Sequence, residues 1–453
     1  MSNQNVKSLA SSACVVVATI LFHLAIIPTD AQDLPLPPPP PTVAPLKLPP
    51  PVPQNQQNGA AGAGAGNLVL QPLPRPTSAS TAAVSQRAFA PSMIGDGFAG
   101  NSTVFTNYEG GEGHDDPSHF ALISPGLGGG VGQIKLMETG SPIPRDRVML
   151  NYSYFSGVPI GTGNLNVNRF TPGFEKTFFE GSSSIEVRVP MAITAASTFV
   201  HDEISSIDST DYQFGNLTFF LKSLLYRDET FALSAGGGLV LPTAANTVML
   251  SEFNGRNHTD LIIRNESIHL MPFLGGTYTP NDRFFSQSMV QVDFSANGNP
   301  VSVESISPQF PFGEGGPLKR IGSLNDATFL YASVATGYWL HRAPVGSSRL
   351  TGIAPIAELH YNRSLQPTDS VTIPNSGFTY YLRGQTIGSR ASDIEVINAV
   401  IGLTILADDN KSLTAAYTVP LGGGLDMQFT GEFRVLFNWY FGGPTNRQTR
   451  VQF

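Results

Sequence analysis

The segment 425–441, LDMQFTGEFRVLFNWYF, alternates between apolar and polar residues along its whole length. Its odd positions are apolar except at Gly431, and its even positions are polar except at Leu436 and Tyr440. A strand in a globular protein usually has about five or six residues. This segment is much longer and is long enough to cross a bilayer. The pattern predicts a transmembrane β-strand with one face toward lipid and the other toward water.

Eleven further segments have a compatible alternation of apolar and polar residues. All the segments together predict an all-β fold: a transmembrane antiparallel up-and-down β-barrel of about 12 strands over residues 147–441. In such a barrel the last strand, 425–441, closes against the first, 148–156. The predicted strands are 148–156, 167–179, 183–192, 213–225, 229–241, 266–279, 284–295, 327–341, 349–363, 393–406, 411–420 and 425–441.

The connections between the predicted strands alternate in length, which supports the barrel more strongly than any single strand does. The short ones are rich in Asp, Asn, Gly and Pro, as tight turns are. Short connections lie at 180–183, 226–229, 280–283, 343–348 and 408–411, and long ones at 193–212, 242–265, 296–326 and 364–392. Short periplasmic turns that alternate with long outer loops are typical of bacterial transmembrane barrels.

The beginning of the chain has the features of an export signal. Residues 1–31 contain one early cation, Lys7, and then the apolar run 14–28, and the small residue Ala31 suits signal-peptide cleavage. An uncleaved anchor helix is the alternative, but the run is shorter than the roughly twenty residues that a membrane span needs. Cys14 is the only cysteine, so the mature chain forms no disulfide. Charged residues make up 13% of the chain, against about a quarter in soluble domains.

Two segments separate the signal peptide from the barrel. Residues 32–87 are rich in Pro and Gly, which predicts a disordered linker with polyproline II character. Residues 88–146 form a pre-barrel segment that is compatible with a plug in the barrel mouth, although nothing in its pattern requires one. Residues 442–453 are predicted to be a C-terminal tail after the last strand.

The pre-barrel segment contains two motifs with a chemical interpretation. His114, Asp115, Asp116 and His119 offer nitrogen and oxygen ligands for a metal, but a solvated acidic turn is the favoured interpretation. Gly126–Gly132 is glycine-rich without the Lys and Ser or Thr of a phosphate loop, so we interpret it as a bend. We therefore predict no metal site and no cofactor.

Strand parity assigns one set of polar residues to the inner face of the barrel, opposite the apolar residues. A Lys or Arg that faced lipid at mid-depth would cost about 2–4 kcal/mol, which strongly favours this assignment. Charges of both signs indicate ion pairs that brace the wall or a narrow, weakly selective channel, since a selective pore has a ring of one sign. The predicted lumen-lining residues are Glu186, Arg188, Lys222, Asp293, Glu358, His360, Glu432 and Arg434.

Aromatic residues near two strand ends predict the membrane–water interface on the periplasmic side. Trp339 and Trp439 both fall near the ends of strands that run back toward the periplasm. Tyr440 and Phe441 follow directly after Trp439. Aromatic side chains collect at this depth because their rings are apolar and their edges are polar.

Two stretches resemble a known group of bacterial proteins. PRDRVMLNYSYF followed by VNRFTPGFEKTFFEGSSSIEVRVPM resembles the start of the barrel in uncharacterised outer-membrane proteins, which are grouped with putative transporters of the phenol-degradation MetA-pathway type. FNWYF resembles the aromatic insertion signal that the barrel-assembly machinery reads. The resemblance covers about residues 88–441 and implies a membrane-spanning pore or uptake channel. This chain departs from the usual insertion pattern, because a tail follows Phe441 and ends in Phe453.

These observations predict an outer-membrane channel for passive passage of small solutes, with apolar or aromatic solutes as one option. The alternative is an occluded structural or adhesive barrel with a periplasmic tether. The expected partners are outer-membrane lipid, the barrel-assembly machinery and an unidentified small solute. Catalysis is disfavoured, since no nucleophile motif accompanies His269, His341 or His360. Nucleic-acid binding is disfavoured by the net charge of −8.

Overall fold

The structure is a computed structural model that describes the barrel and parts of the segment before it. The predicted signal peptide, the Pro/Gly-rich linker, the C-terminal tail and the two motifs of the pre-barrel segment lie outside the described residues. Within the described part, no helix is long and apolar enough to cross a membrane. The described residues are 90–97, 103–107, 120–123, 134–160, 163–195, 198–200, 210–253, 256–306, 316–344, 348–366, 369–378, 382–388, 394–408, 410–423 and 427–441.

Twelve β-strands form one closed antiparallel barrel, which confirms the predicted fold. Each strand pairs with its neighbours in the sequence, and the last strand pairs with the first. We number these strands β1 Arg147–Ile160, β2 Gly163–Phe178, β3 Ser183–Arg188, β4 Leu217–Arg227, β5 Phe231–Leu241, β6 His269–Tyr278, β7 Phe284–Ser295, β8 Phe329–Tyr338, β9 Leu350–Ser364, β10 Glu395–Ala407, β11 Lys411–Pro420 and β12 Gly431–Tyr440.

The closing seam runs between β12 and β1, as predicted. Gly431 lies opposite Ser156 at one end of the seam, and Tyr440 lies opposite Arg147 at the other. The short turns after β2, β4, β6, β8 and β10 lie at the same end as Arg147, because successive strands are antiparallel. We call this the short-turn end and the opposite one the long-connection end.

The barrel is apolar outside and charged inside, the reverse of a soluble domain. On β10 the side chain of Ile401 is 74% exposed, whereas Arg188 on β3 and Arg434 on β12 are fully buried. Alternation along each strand separates these two faces. An apolar outer band around a polar interior is the arrangement of a barrel that meets lipid.

Parts of the long connections and of the pre-barrel segment form two further sheets. Val301 and Val303 already show strand-like alternation, and they join an apolar core that includes Met249, Leu261 and Val371. The five-stranded sheet contains Thr198–Val200, Thr247–Phe253, Arg256–Ile263, Asn299–Glu304 and Leu318–Leu324. The four-stranded sheet contains Thr103–Asn107, Phe120–Ile123, Ser370–Thr372 and Thr386–Gly388.

The remaining elements are short. Met191–Ala195 and Thr210–Phe214 pair with each other, and Met191–Ala195 also pairs with β2. His341–Arg342 pairs with β9, and Phe179–Gly181 forms a 3₁₀ turn between β2 and β3.

The strand predicted at 425–441 is shorter in the structure and begins at Gly431. Gly157 of β1 has a φ of +65°, and a bulge between Phe155 and Val158 shifts the register of β1 against β2. Phe429 precedes the first residue of β12, is 1% exposed and packs against the fully buried Phe155 at 5.6 Å between ring centroids. The sequence pattern had placed Phe429 on the apolar outer face, and this assignment was wrong.

Candidate functional site: the occupied lumen

Two stretches of the pre-barrel segment lie against the inner face of the barrel, and we call them the inner segments. They are residues 90–97 and 134–146, and all of their residues are buried. The two run antiparallel, since the Met93 amide donates to the Gly140 carbonyl at 2.8 Å and the Thr139 amide donates to the Ile94 carbonyl at 3.2 Å. The barrel interior is therefore filled by chain that is not part of the barrel wall.

The inner segments run lengthwise through the barrel. At the short-turn end, the Arg145 guanidinium donates to the Ala90 carbonyl at 2.5 Å, directly before β1 begins. Toward the other end, the Gly97 amide donates to Glu432 at 2.9 Å. Beyond that end, Thr103–Asn107 pairs with Thr386–Gly388 of the four-stranded sheet. The chain thus passes along the lumen, contributes strands at the long-connection end and returns to start β1.

Wall carboxylates hold the backbone amides of the first inner segment. Both oxygens of Glu358 accept bonds, from the Ile94 amide at 2.9 Å and from the Gly95 amide at 2.8 Å. Gly95 has a φ of +74°, a conformation that glycine adopts without strain and that directs two successive amides to one carboxylate. Charge-assisted bonds of this kind are about twice as strong as neutral ones.

Wall cations hold the backbone carbonyls of the second inner segment. Arg188 donates to the carbonyls of Lys135 at 2.8 Å and Leu136 at 3.1 Å, and also bonds the Glu138 carbonyl. Arg147 donates to the Thr139 carbonyl at 2.9 Å. Because these bonds engage the main chain, they fix the path of the segment as well as its side chains.

Asp96 of the first inner segment is the centre of a buried polar cluster. Its carboxylate forms an ion pair with Lys135 of the second inner segment. Asn362 and Asn398 of the wall each donate to the other oxygen at 2.8 Å. His360 lies 3.4 Å from the first oxygen. The cluster joins both inner segments to β9 and β10 through one carboxylate.

Another region of the lumen is apolar and rich in methionine and phenylalanine. The inner segments contribute Met93, Ile134, Leu136 and Met137 to this cluster. The wall contributes Phe220, Val240, Met271, Phe273, Met289, Ala327, Phe329, Tyr331, Ala335, Ile394 and Val396. The interior therefore has a charged side near β9, β10, β12 and β1–β4 and an apolar side around β4–β8, with the His269–Asp293 pair at the long-connection end of β6 and β7.

All eight predicted lumen-lining residues are buried. Six of them contact the inner segments: Arg188, Lys222, Glu358, His360, Glu432 and Arg434. Glu186 bonds wall cations instead, with Arg188 at 2.6 Å and Lys222 at 2.7 Å. Asp293 lies 2.9 Å from His269 and 3.4 Å from the Tyr331 hydroxyl. Whether they line an open path for solute stays a prediction.

Two of the four predicted interface aromatics lie on the wrong face. Trp339 is fully buried and packs against Phe285 at 5.7 Å between centroids, and Tyr440 is 4% exposed. Both share the inward parity of their strands, so an interface position is excluded for them. Trp439 is 48% exposed on the outer surface, and Phe441 stacks on the exposed Phe174 at 5.6 Å.

Ser267, His269 and Asp293 lie next to one another as the residues of a hydrolytic triad do. Their hydrogen bonds, however, do not suit a nucleophilic serine. The Ser267 hydroxyl donates to the Asn297 carbonyl at 2.9 Å. The Nε2 atom of His269 lies 3.0 Å from Asp326 and 3.2 Å from the serine oxygen. The serine hydroxyl is thus directed at a carbonyl, and Nε2 is shared with a carboxylate, so the geometry does not suit a general base that acts on the serine.

Sequence reasoning missed several residues of the buried network. Arg147 bonds Glu175 at 2.8 Å and Ser92 at 2.8 Å, and Lys222 lies 2.6 Å from Glu175. Arg169 and Arg434 both bond Glu138 of the second inner segment. Arg169 and Glu175 share one face of β2 by strand parity, so the sequence pattern could have identified them as inward-facing. The charges of the inner segments carried no such signal, since no alternation surrounds them.

Comparisons with known proteins found likeness in structure only. No family model matches the chain, and no curated protein is similar to it in sequence. The COG4313 outer membrane channel from Pseudomonas putida F1 is 8% identical, with a TM-score of 0.38 over 66% of this chain and 97% of that chain. The CymD monoaromatic hydrocarbon channel is 8% identical, with a TM-score of 0.34 over 71% and 98%.

A third solved structure, the beta domain of the Bordetella autotransporter BrkA, is 12% identical, with a TM-score of 0.37 over 65% of this chain and 100% of that chain. These structures include outer-membrane channels, the class that the sequence resemblance named. Similarity at this level carries no argument about solute or mechanism, which depend on the lumen itself.

Proposed function

We propose that this protein is a channel of the bacterial outer membrane for small apolar or aromatic solutes, closed in the described state by the inner segments. One observation carries the proposal: the lumen is filled by a separate stretch of chain, and not by the side chains of the wall alone. Twelve strands enclose more space than the wall side chains of an eight-stranded barrel fill. The backbone ladder that closes the barrel does not include the inner segments, so the proposal requires their displacement but not the unfolding of the barrel.

The apolar side of the lumen supports the choice of solute. Its wall offers Phe220, Phe273, Met271 and Met289, which suit uncharged molecules because rings and thioethers are soft, apolar surfaces. Export by a signal peptide, insertion by the barrel-assembly machinery and passive transport without catalysis are parts of the same proposal.

Solute uptake into proteoliposomes tests the proposed function. Vesicles that contain the full-length protein should swell faster in an isosmotic solution of a small uncharged aromatic alcohol than in one of a sugar of similar size. Protein-free vesicles give the background rate for direct permeation of the bilayer. Equal rates with and without the protein, for every solute, would refute the channel.

The occluded structural barrel is a second candidate, and the density of the charged network favours it. Arg147 alone bonds Glu175, Ser92, the Thr139 carbonyl and Asn438. Such a network makes the inner segments costly to move, because each buried charge that loses its partner costs several kcal/mol. The two candidates differ in one respect that can be measured, which is whether the lumen ever opens.

A further inference from the structure

A compact apolar surface lies on the inner wall between β4 and β7, beneath the second inner segment. Phe220 of β4, Met271 and Phe273 of β6 and Met289 of β7 form it. These four side chains are between 0% and 5% exposed. Leu136 and Met137 belong to the same cluster and are fully buried.

Strand β5, which lies between β4 and β6, has glycine at the positions that lie against these rings. A Cβ on Gly236 would lie 2.6 Å from the Phe273 ring, and one on Gly238 would lie 2.7 Å from the Phe220 ring. Both rings therefore lie directly against the backbone of β5, in space that any other residue would occupy. This arrangement leaves a smooth apolar floor where side chains would otherwise project.

Charged groups border the floor without entering it. The Arg188 guanidinium lies 4.8 Å from the centre of the Phe220 ring, while its nitrogens bond backbone carbonyls of the second inner segment. Lys135 lies 5.2 Å from the Tyr331 ring and bonds Asp96. The floor itself is uncharged, so it suits a neutral apolar ligand and disfavours an ionic one.

We propose that this floor is a binding subsite for a small, uncharged aromatic molecule, and that Leu136 and Met137 occupy it in the closed state. The inference rests on the proposed channel function, since a solute reaches the floor only through the lumen. Leu136 and Met137 supply the apolar contacts that the solute would make, so solute and inner segment compete for one surface.

Bromobenzene binding to the full-length protein tests the subsite directly. Leu136→Ala removes side-chain atoms that cover the floor and leaves an apolar cavity. Such a cavity binds small aromatics rather than water. Crystals of the wild type and the variant would be soaked at one bromobenzene concentration, and anomalous scattering would locate the bromine. We expect a peak bounded by Phe220, Met271 and Phe273, with roughly tenfold higher occupancy in Leu136→Ala, because each buried methylene strengthens binding several-fold.

Leu436→Ala is the matched control, because Leu436 is equally buried but belongs to a different apolar cluster. Equal bromine occupancy in the cavities of both variants would overturn the proposal, since any apolar cavity would then serve. Absence of the peak at the floor would also overturn it. If Leu136→Ala does not fold, Met137→Ala with Met149→Ala as its control provides the same comparison.

The outcome is separable from that of the channel proposal. Bromine at the floor together with absent solute uptake would keep the subsite and refute the channel. Uptake without bromine at the floor would refute the subsite and keep the channel.

Discussion

At the residue scale, charged side chains of the wall bond the backbone of the inner segments as well as one another. Both oxygens of Glu358 accept bonds from inner-segment amides, and the Arg188 guanidinium donates to three inner-segment carbonyls. Strand parity predicted that these residues face inward. It could not predict their partners, because residues 88–146 have no periodicity in sequence, and the inner segments are positioned by tertiary contacts with the wall.

Asp146, directly before β1, anchors the second inner segment at the short-turn end. Its carboxylate accepts bonds from the Thr177 amide at 2.6 Å, the Thr177 hydroxyl at 2.8 Å and Lys176 at 3.3 Å. Burial acts to raise the pKa of this carboxyl, but the bonds from Thr177 and Lys176 outweigh it and lower the pKa below its usual value of 3.8. The lowered pKa means that the folded state favours the charged form.

The anchor should therefore be pH-dependent. Because the folded-state pKa is lowered, the stabilisation is complete above the usual pKa and is lost as the pH falls through the folded-state value. Asp146→Asn should lower stability by about 1–2 kcal/mol at neutral pH and have less effect in acid. Urea unfolding in lipid vesicles at several pH values measures this. The same loss at every pH would contradict the assignment to the carboxylate charge.

At the element scale, the alternation of each strand decides which face meets lipid. This property was predictable, since a period of two follows from strand geometry alone. Tyr440 shows where the prediction failed: its parity is that of Glu432 and Arg434, but its aromatic type suggested the interface. Strand parity determined the position of Tyr440. A one-residue shift that placed it outside would also have exposed the whole charged face of β12 to lipid.

Because the outer surface faces lipid, the cost of a charged substitution there should depend on its depth in the bilayer. Ile401 lies in the middle of β10 and is 74% exposed, whereas Leu350 starts β9 at the short-turn end and is 41% exposed. Ile401→Arg should cost about 2–4 kcal/mol and Leu350→Arg about 0–1 kcal/mol. Unfolding by urea in vesicles measures both. Equal costs at the two positions would argue against a bilayer around the barrel.

At the scale of the whole molecule, one end of the barrel carries tight turns and the other carries two sheets. The sheets take strands from the long connections and from the pre-barrel chain, so the inner segments are held at both ends. The barrel, its closure and its short turns were predictable from local pattern. The sheets and the filled lumen were not, because they depend on contacts between segments far apart in sequence.

The orientation of the barrel can be measured by labelling, since Cys14 is the only native cysteine. Ala245 lies exposed at the long-connection end, and Glu229 lies exposed in a short turn. Ala245→Cys should react with a membrane-impermeant maleimide on intact cells, and Glu229→Cys should react only after lysis. The reverse labelling would show that the barrel is oriented the other way.

Single-channel recording in planar bilayers tests the central claim, which is that the inner segments close a real pore. Glu358→Gln weakens the bonds to the Ile94 and Gly95 amides by about 2 kcal/mol, or more than tenfold in the ratio of closed to open states. We expect rare openings in the wild type and frequent ones in Glu358→Gln. Glu395→Gln, which alters a carboxylate bonded to Tyr361 instead of the inner segments, should behave as the wild type does. Silent recordings from correctly folded wild type and Glu358→Gln would contradict the channel and favour the occluded barrel.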